Sequence, residues 1–210
     1  MIRILIADDH AIVRQGLKQI LEQSSEMKIV AVHANGADAL RWIRANDCDV
    51  ALLDIAMPGM NGIDLLKQLH EEKPKLPVLI LSIYPEDQYA VRLIKAGAAG
   101  YLTKESAPEV VAEAVRRAAA GKKYISQAVA EMLANEFGAP EGKLPHETLS
   151  DREFQIFLLL ASAKTVSEIA DTLALSVKTV STYRTRILEK MQLRNNAELM
   201  RYAVEKRLME

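Results

Sequence analysis

The sequence predicts a doubly wound α/β domain built on a five-stranded parallel sheet, followed by a small all-α domain of four helices. Three observations carry that expectation. Short apolar runs alternate with helical periodicities five times in about 120 residues, the pattern of parallel strands joined by crossover helices. A stretch with two prolines and two glycines in eight residues, 138–145, then breaks the periodicity. Beyond it, four helical segments follow in about 60 residues.

Length and composition agree with this division. A chain of 210 residues, 50% hydrophobic and 26% charged, suits one full domain and a smaller one, each with a core of its own. The net charge of -1 points to neither a nucleic-acid coat nor a membrane-surface protein, but it hides a local imbalance. Between Ser176 and Arg194 five basic residues (Lys178, Arg184, Arg186, Lys190, Arg194) face one acid, Glu189. The single cysteine, Cys48, excludes an intramolecular disulfide and a Cys-based zinc cluster and suits a reducing cytosol. Acids at Asp8 and Asp9 come too early for a signal peptide, and no apolar run approaches 18 residues, so a cytoplasmic protein with no membrane partner is expected.

Residues 2–7 read as a buried strand ended by Asp8, Asp9 and His10, before Ile12, Val13, Leu17, Ile20 and Leu21 fall at helical spacing. The alternation repeats with strands at 28–33, 50–53, 77–81 and 99–102 and helices at 36–45, 62–71, 86–95 and 108–120. If the strands are parallel, the residues just past each apolar run share one edge: Asp8 and Asp9, Asp54, Ser82, Thr103 and Lys104. Three acids, two hydroxyls and a lysine on one rim suit a hard divalent cation and a phosphoryl group. Magnesium keeps several waters, so Asp9, Asp54 and the backbone carbonyl of Ala56 suffice, with Asp8 in support. Lys104 pairs with Asp54 at rest and with a phosphoryl oxygen after transfer, and Ser82 donates to another such oxygen. Taken singly, each has an ordinary explanation: a capping aspartate, a loop hydroxyl, a solvated lysine. His10 reads as structural, and His33, His70 and His146 sit at no metal-ligand spacing and are assigned no role.

The Asp8-Asp9-His10 turn, Asp54 with its Met57-Pro58-Gly59-Met60-Asn61-Gly62 tail, Ser82, and Tyr101-Leu102-Thr103-Lys104 together resemble the receiver domain of two-component response regulators, over roughly residues 1–120. The resemblance implies a flavodoxin-like fold in which Asp54 takes a phosphoryl group from a sensor histidine kinase or a small phosphodonor, with magnesium on Asp9, Asp54 and Ala56. It also implies that Ser82 and Tyr101 form a switch pair, the ring turning inward as the hydroxyl moves to the phosphoryl group. Glu105 stands where many receivers have proline.

The expected division is 1–121 for this domain, 122–146 for a linker with a helix near 126–136 capped by Ser126, and 147–210 for the second domain. There, Ser150 and Glu153 form a capping box ahead of Phe154, Phe157, Leu158 and Ala161. Ser167 is expected to open a second helix, Ser176 a third through Val180, Tyr183, Ile187 and Met191, and Asn195 or Asn196 a fourth. The short join between the middle two suggests a helix-turn-helix. Val177, Val180, Ile187 and Leu188 make the third helix's apolar face, and its other side shows Lys178, Thr179, Ser181, Thr182, Tyr183, Arg184, Thr185 and Arg186. A solvated helix face is the ordinary reading, but an ordinary surface helix mixes both signs of charge.

Leu149-Ser150-Asp151-Arg152-Glu153, Glu168-Ile169-Ala170 and Ser176-Val177-Lys178-Thr179-Val180 resemble the LuxR-type helix-turn-helix of NarL/FixJ regulators, over roughly residues 149–208. The resemblance implies double-stranded promoter DNA as partner, with Ser181, Thr182 and Thr185 facing bases and Lys178, Thr179, Tyr183, Arg184 and Arg186 mainly on the backbone. The last helix is then the dimer-forming element. Ala163, Val166 and Tyr183 depart from the common pattern, which has glycine, asparagine and histidine there. The whole chain is expected to be a non-enzymatic transcription factor that slowly loses its phosphoryl group, dimerises on activation and contacts RNA polymerase. A magnesium-dependent phosphohydrolase and a receiver used only for protein docking are the alternatives.

Overall fold

The computed structural model describes residues 1–137, 144–206 and 208, so the Gly- and Pro-containing stretch at 138–143 lies outside the described residues. The chain forms two compact units, Met1–Phe137 and Gly138–Glu210.

In the first unit the order is β1 (Ile2–Ala7), α1 (Ala11–Glu22), β2 (Met27–His33), α2 (Gly36–Ala45), β3 (Val50–Asp54), α3 (Gly62–Glu72), β4 (Val78–Ser82), α4 (Glu86–Lys95), β5 (Gly100–Thr103), α5 (Pro108–Ala119) and α6 (Gln127–Phe137). All strand pairs are parallel, in the order β2-β1-β3-β4-β5. The central strands are apolar throughout because both faces of the sheet are covered. Ile4, Ile6, Val50, Leu52, Leu79 and Leu81 pack on Leu17 and Leu21 of α1 and on Val111, Ala114, Val115 and Ala118 of α5. The alternate residues Leu5, Leu53, Ile80 and Tyr101 point to the other face and are equally buried, as are Leu40, Ile43, Leu65, Leu69, Tyr89 and Leu93 from α2 to α4. The winding direction reverses between β1 and β3. A crevice opens there at the carboxyl ends of the strands, where ligands of open α/β sheets bind.

The second unit has a short 3₁₀ helix (Pro145–Thr148), α7 (Asp151–Ala161), α8 (Val166–Thr172), α9 (Val177–Met191) and α10 (Asn196–Glu205). Its hub is α7, buried from Phe154 to Ala161 and packed on the other three α-helices. The Ser150 capping box does more than start α7. Glu153 Oε2 accepts from the Ser150 N–H at 2.8 Å and from Lys190 Nζ of α9 at 2.6 Å. Burial works against this carboxylate, yet Lys190 and Ser150 outweigh it and hold its pKa below the ordinary range.

Two sequence expectations change here. Helix α8 is opened by Thr165, not Ser167: the Thr165 hydroxyl accepts from the Glu168 N–H at 3.2 Å and Glu168 Oε2 accepts from the Thr165 N–H at 2.7 Å. Thr165 and Glu168 have the capping-box spacing, which Ser167 lacks. His146 has a packing role, since its ring meets Phe154 and Tyr202 and its Nδ1 lies 2.8 Å from the Tyr202 hydroxyl. Asn195 is the cap of α10.

Candidate functional site

The residues at the ends of β1, β3 and β5 converge. Asp8 is 1% exposed and Asp54 is 2% exposed, and Lys104 reaches both, with Nζ 2.8 Å from Asp8 Oδ2 and 2.9 Å from Asp54 Oδ2. The Lys104 N–H donates to the Ser82 carbonyl at 2.7 Å, so β4 fixes the place from which the side chain starts. Asp8 is held on every side. Its Oδ1 accepts from the His10 N–H, its carbonyl accepts from Arg14 Nη1, both at 2.7 Å, and its N–H donates to the His33 carbonyl at 3.1 Å. Asp9 lies at the mouth, its Oδ1 2.6 Å from His10 Nδ1.

Burial pushes the Asp54 carboxyl up to about 6, Asp8 adds to the rise, and Lys104 with the Ala56 N–H opposes it. For Lys104, burial works against the ammonium, but Asp8 and Asp54 outweigh it and raise its pKa. Even so, the three carboxylates Asp8, Asp9 and Asp54 outnumber the cations Lys104 and Arg14, so the rim keeps a net negative charge that favours a divalent cation. One oxygen or nitrogen from each of Asp8, Asp9, His10 and Asp54 lies within 4.8 Å of the others. The buried oxygens Asp8 Oδ2 and Asp54 Oδ2 touch Lys104 but have no aligned hydrogen-bond donor among the described residues. A hard cation with oxygen ligands therefore fits these residues.

The β3–α3 loop shows what sequence reasoning passed over. A Cβ at Gly62 would sit 2.0 Å from the Asp54 carbonyl oxygen, so only glycine lets the loop turn back against the strand that carries Asp54. Asn61, 2% exposed, caps α3 by accepting from the Ile63 and Asp64 N–H groups. An Asn-Gly pair before a helical periodicity was the available signal. Arg14, one turn into α1, had none, because its target is a backbone carbonyl.

Ser82 is buried, and its Oγ accepts from the Tyr84 N–H at 3.1 Å. Tyr101 is 2% exposed, its hydroxyl donating to the Tyr84 carbonyl at 2.8 Å. Burial raises the pKa of this phenol. Both residues thus hold the same turn between β4 and α4. A cavity of about 960 Å³ lies at the opposite end of the sheet, lined by Met1, Cys48, His70, Lys73 and Lys122 among others, and contains none of the rim acids. The Cys48 thiol on its wall is pushed up to about 11 by burial, which keeps it protonated at neutral pH.

In the second unit, Lys178, Thr179, Thr182, Tyr183 and Arg186 line a shallow concavity of about 320 Å³ along α9. Ser181 and Thr185 are exposed beside it. The hydroxyls of Thr182 and Thr185 donate to the carbonyls of Lys178 and Ser181, one turn back, and Thr179 shares a hydrogen bond with the capping Ser176. Two expectations need correcting. Val177 is 51% exposed and is not part of the packed face, because it opens the helix. Arg184 is half-buried, and its Nε donates to Asn196 Oδ1 at 2.7 Å. It lies four residues from Val180 and Leu188 and three from Ile187, on the face that packs. With Lys190 paired to Glu153, the outward-facing cations of α9 are Lys178 and Arg186, neither of which has an ion pair among the described residues.

Comparison with known proteins gives the same two parts. Residues 4–116 match the response regulator receiver domain family, and residues 147–203 match the bacterial regulatory proteins of the luxR family. Response regulator UvrY of Escherichia coli K12 is 36% identical over 205 residues, covering 97% of this chain and 94% of the relative. Response regulator GacA of Pseudomonas aeruginosa is 38% identical over 205 residues, covering 97% and 96%. Among solved structures, RcsB from Salmonella enterica serovar Typhimurium, bound to the rprA promoter in the presence of the phosphomimetic BeF3-, is 25% identical with a TM-score of 0.67, covering 96% of this chain and 97% of that one. With both halves matched in order and the relatives spanned nearly end to end, the chain belongs to the NarL/FixJ family of response regulators, a receiver domain followed by a LuxR-type helix-turn-helix.

Proposed function

We propose that Asp54 is the phosphoacceptor through which this transcription factor is switched, and that α9 is the helix it lays on promoter DNA. The observation that carries the first part is the single buried ammonium shared by Asp8 and Asp54. An Asp54 oxygen attacks the phosphorus of a histidine-kinase phosphohistidine or a small acyl phosphate, a bond from phosphorus to oxygen forms, and the donor leaves with the electrons of the bond that breaks. A pKa of about 6 leaves Asp54 mainly ionised, and so nucleophilic, at neutral pH. Lys104 already stands 2.9 Å away and pairs with an oxygen of the new phosphoryl group. Asp9, Asp54 and the Ala56 carbonyl, with Asp8 in support, would hold magnesium, which supplies charge neutralisation during transfer. Ser82 and Tyr101 act as the switch pair through the turn they share. The chain acts on no further substrate.

On DNA, Lys178 and Arg186 meet phosphates while Ser181, Thr182 and Thr185 are offered to base edges. Met200 and Val204, four residues apart on α10 and 36% and 59% exposed, form the apolar strip of a homodimer face, and two-fold symmetry then pairs the half-sites. The protein works in the cytoplasm. The test is incubation of full-length protein with acetyl phosphate and magnesium, followed by intact mass and DNA binding. Wild type gains one acid-stable, base-labile phosphoryl group and binds DNA more tightly; Asp54→Asn does neither. Uptake by the variant equal to wild type refutes Asp54 as the acceptor.

A further inference from the structure

We propose that Ser126 and Glu86 form a latch that ties helix α6 to the turn between β4 and α4, so that a change at the Ser82 and Tyr101 end of the site is passed to the segment leading into the second unit; this rests on the reading of Asp54 as phosphoacceptor. The Ser126 hydroxyl donates to Glu86 Oε2 at 2.6 Å and accepts from the Val129 N–H at 3.2 Å, so one oxygen both caps α6 and holds α4. Glu86 opens α4 two residues after Tyr84, whose N–H donates to Ser82 and whose carbonyl accepts from Tyr101. The latch carboxylate thus lies four positions along the chain from the switch serine. The approach to α6 is equally built. The Tyr124 N–H donates to the Ala99 carbonyl at 2.7 Å, and a Cβ at Gly100 would sit 2.8 Å from the Tyr124 carbonyl oxygen, so glycine in β5 is what lets the chain lie against the sheet edge. Val129 is then buried as α6 packs on α4. A connecting helix that only spaced two domains would need none of these contacts.

The test separates capping from latching. Ser126→Asp keeps a side chain as good as serine at an N-cap but sets a carboxylate against Glu86. Hydrogen exchange of residues 127–134 and DNA affinity are measured on the full chain, with and without beryllofluoride and magnesium. Beryllofluoride is expected to protect residues 54–62 and 82–86 of wild type and to change exchange in α6. Ser126→Asp should raise α6 exchange about tenfold without beryllofluoride and bring the ratio of DNA affinities with and without it toward one, at normal phosphoryl uptake on Asp54. Adding Glu86→Gln should restore both, since the amide can donate to the new carboxylate. Wild-type exchange and affinity ratio in Ser126→Asp would overturn the latch alone. So would a wild-type α6 that stays unresponsive while the rim responds. No beryllofluoride effect at the rim would overturn the Asp54 reading, and the coupling with it.

Discussion

The rim of the sheet and the outer face of α9 both carry charge, in opposite physical states. At the rim, Asp8 and Asp54 are stripped of water and share one lysine, so the fold bears a cost that its own packing does not remove. On α9, Lys178 is exposed and costs nothing, and the same holds for Arg186. A buried cluster that works against stability points to a use by its energetics alone. An exposed one must be argued from its partner's chemistry, and it is there that the reading of individual residues needed correction.

Substitutions put that contrast to the test. The largest effect belongs to Lys104→Met, which leaves two buried carboxylates without a counter-ion and should destabilise the metal-free first unit by about 3–5 kcal/mol in urea at pH 7. A loss within about 0.5 kcal/mol would place the rim with ordinary surface charge. Asp54→Asn should act in the other direction. The folded pKa of about 6 lies above the unfolded value of 3.8, so the stability linked to protonated Asp54 is full below pH 3.8 and is lost as pH rises through about 6. Wild type without metal should therefore weaken across that window by about 2–3 kcal/mol, and Asp54→Asn should remove the step and be the more stable protein at pH 7. Denaturation curves at pH 4, 5, 6 and 7 show whether the step exists.

Smaller effects are expected on α9. Arg186→Gln and Lys178→Gln should each weaken DNA binding, lower the slope of log affinity against log salt by about 1, and leave stability unchanged within about 0.5 kcal/mol. Arg184→Met should do the reverse, destabilising the second unit by about 1–2 kcal/mol through the lost bond to Asn196 while the salt slope holds. An equal fall in slope for Arg184 and Arg186 would show that both reach phosphate. The smallest change is Ala163→Gly. Ala163 comes after α7 with φ of +60°, a conformation glycine adopts freely, and the substitution should stabilise by about 0.5–1 kcal/mol in thermal unfolding.

Much of this was legible from residue types because parallel strands bring the residues at their carboxyl ends to one edge. Once 50–53 is read as a strand in a parallel sheet, Asp54 must stand on the same edge as Asp8, Ser82 and Lys104, whatever the loops do. Contacts to backbone carry no such signature. Arg14 reaching the Asp8 carbonyl and Gly62 lying against the Asp54 carbonyl depend on where a main chain passes. Arg184 was legible in principle, since its spacing from Val180 and Leu188 puts it on the packed face, but its charge drew it to the wrong side. Ser126 was readable as a cap; that the same oxygen bonds Glu86, 40 residues earlier, was not.

Periodicity and strand-end position were enough for the alternating α/β architecture, the helix-turn-helix and the acids that share an edge, because these depend on spacing along one chain. Packing in three dimensions settled which charges are buried, which cations on α9 face outward, and what the helix after α5 rests on. Those outcomes depend on the energy of removing particular atoms from water beside others distant in sequence, and no local pattern encodes that distance.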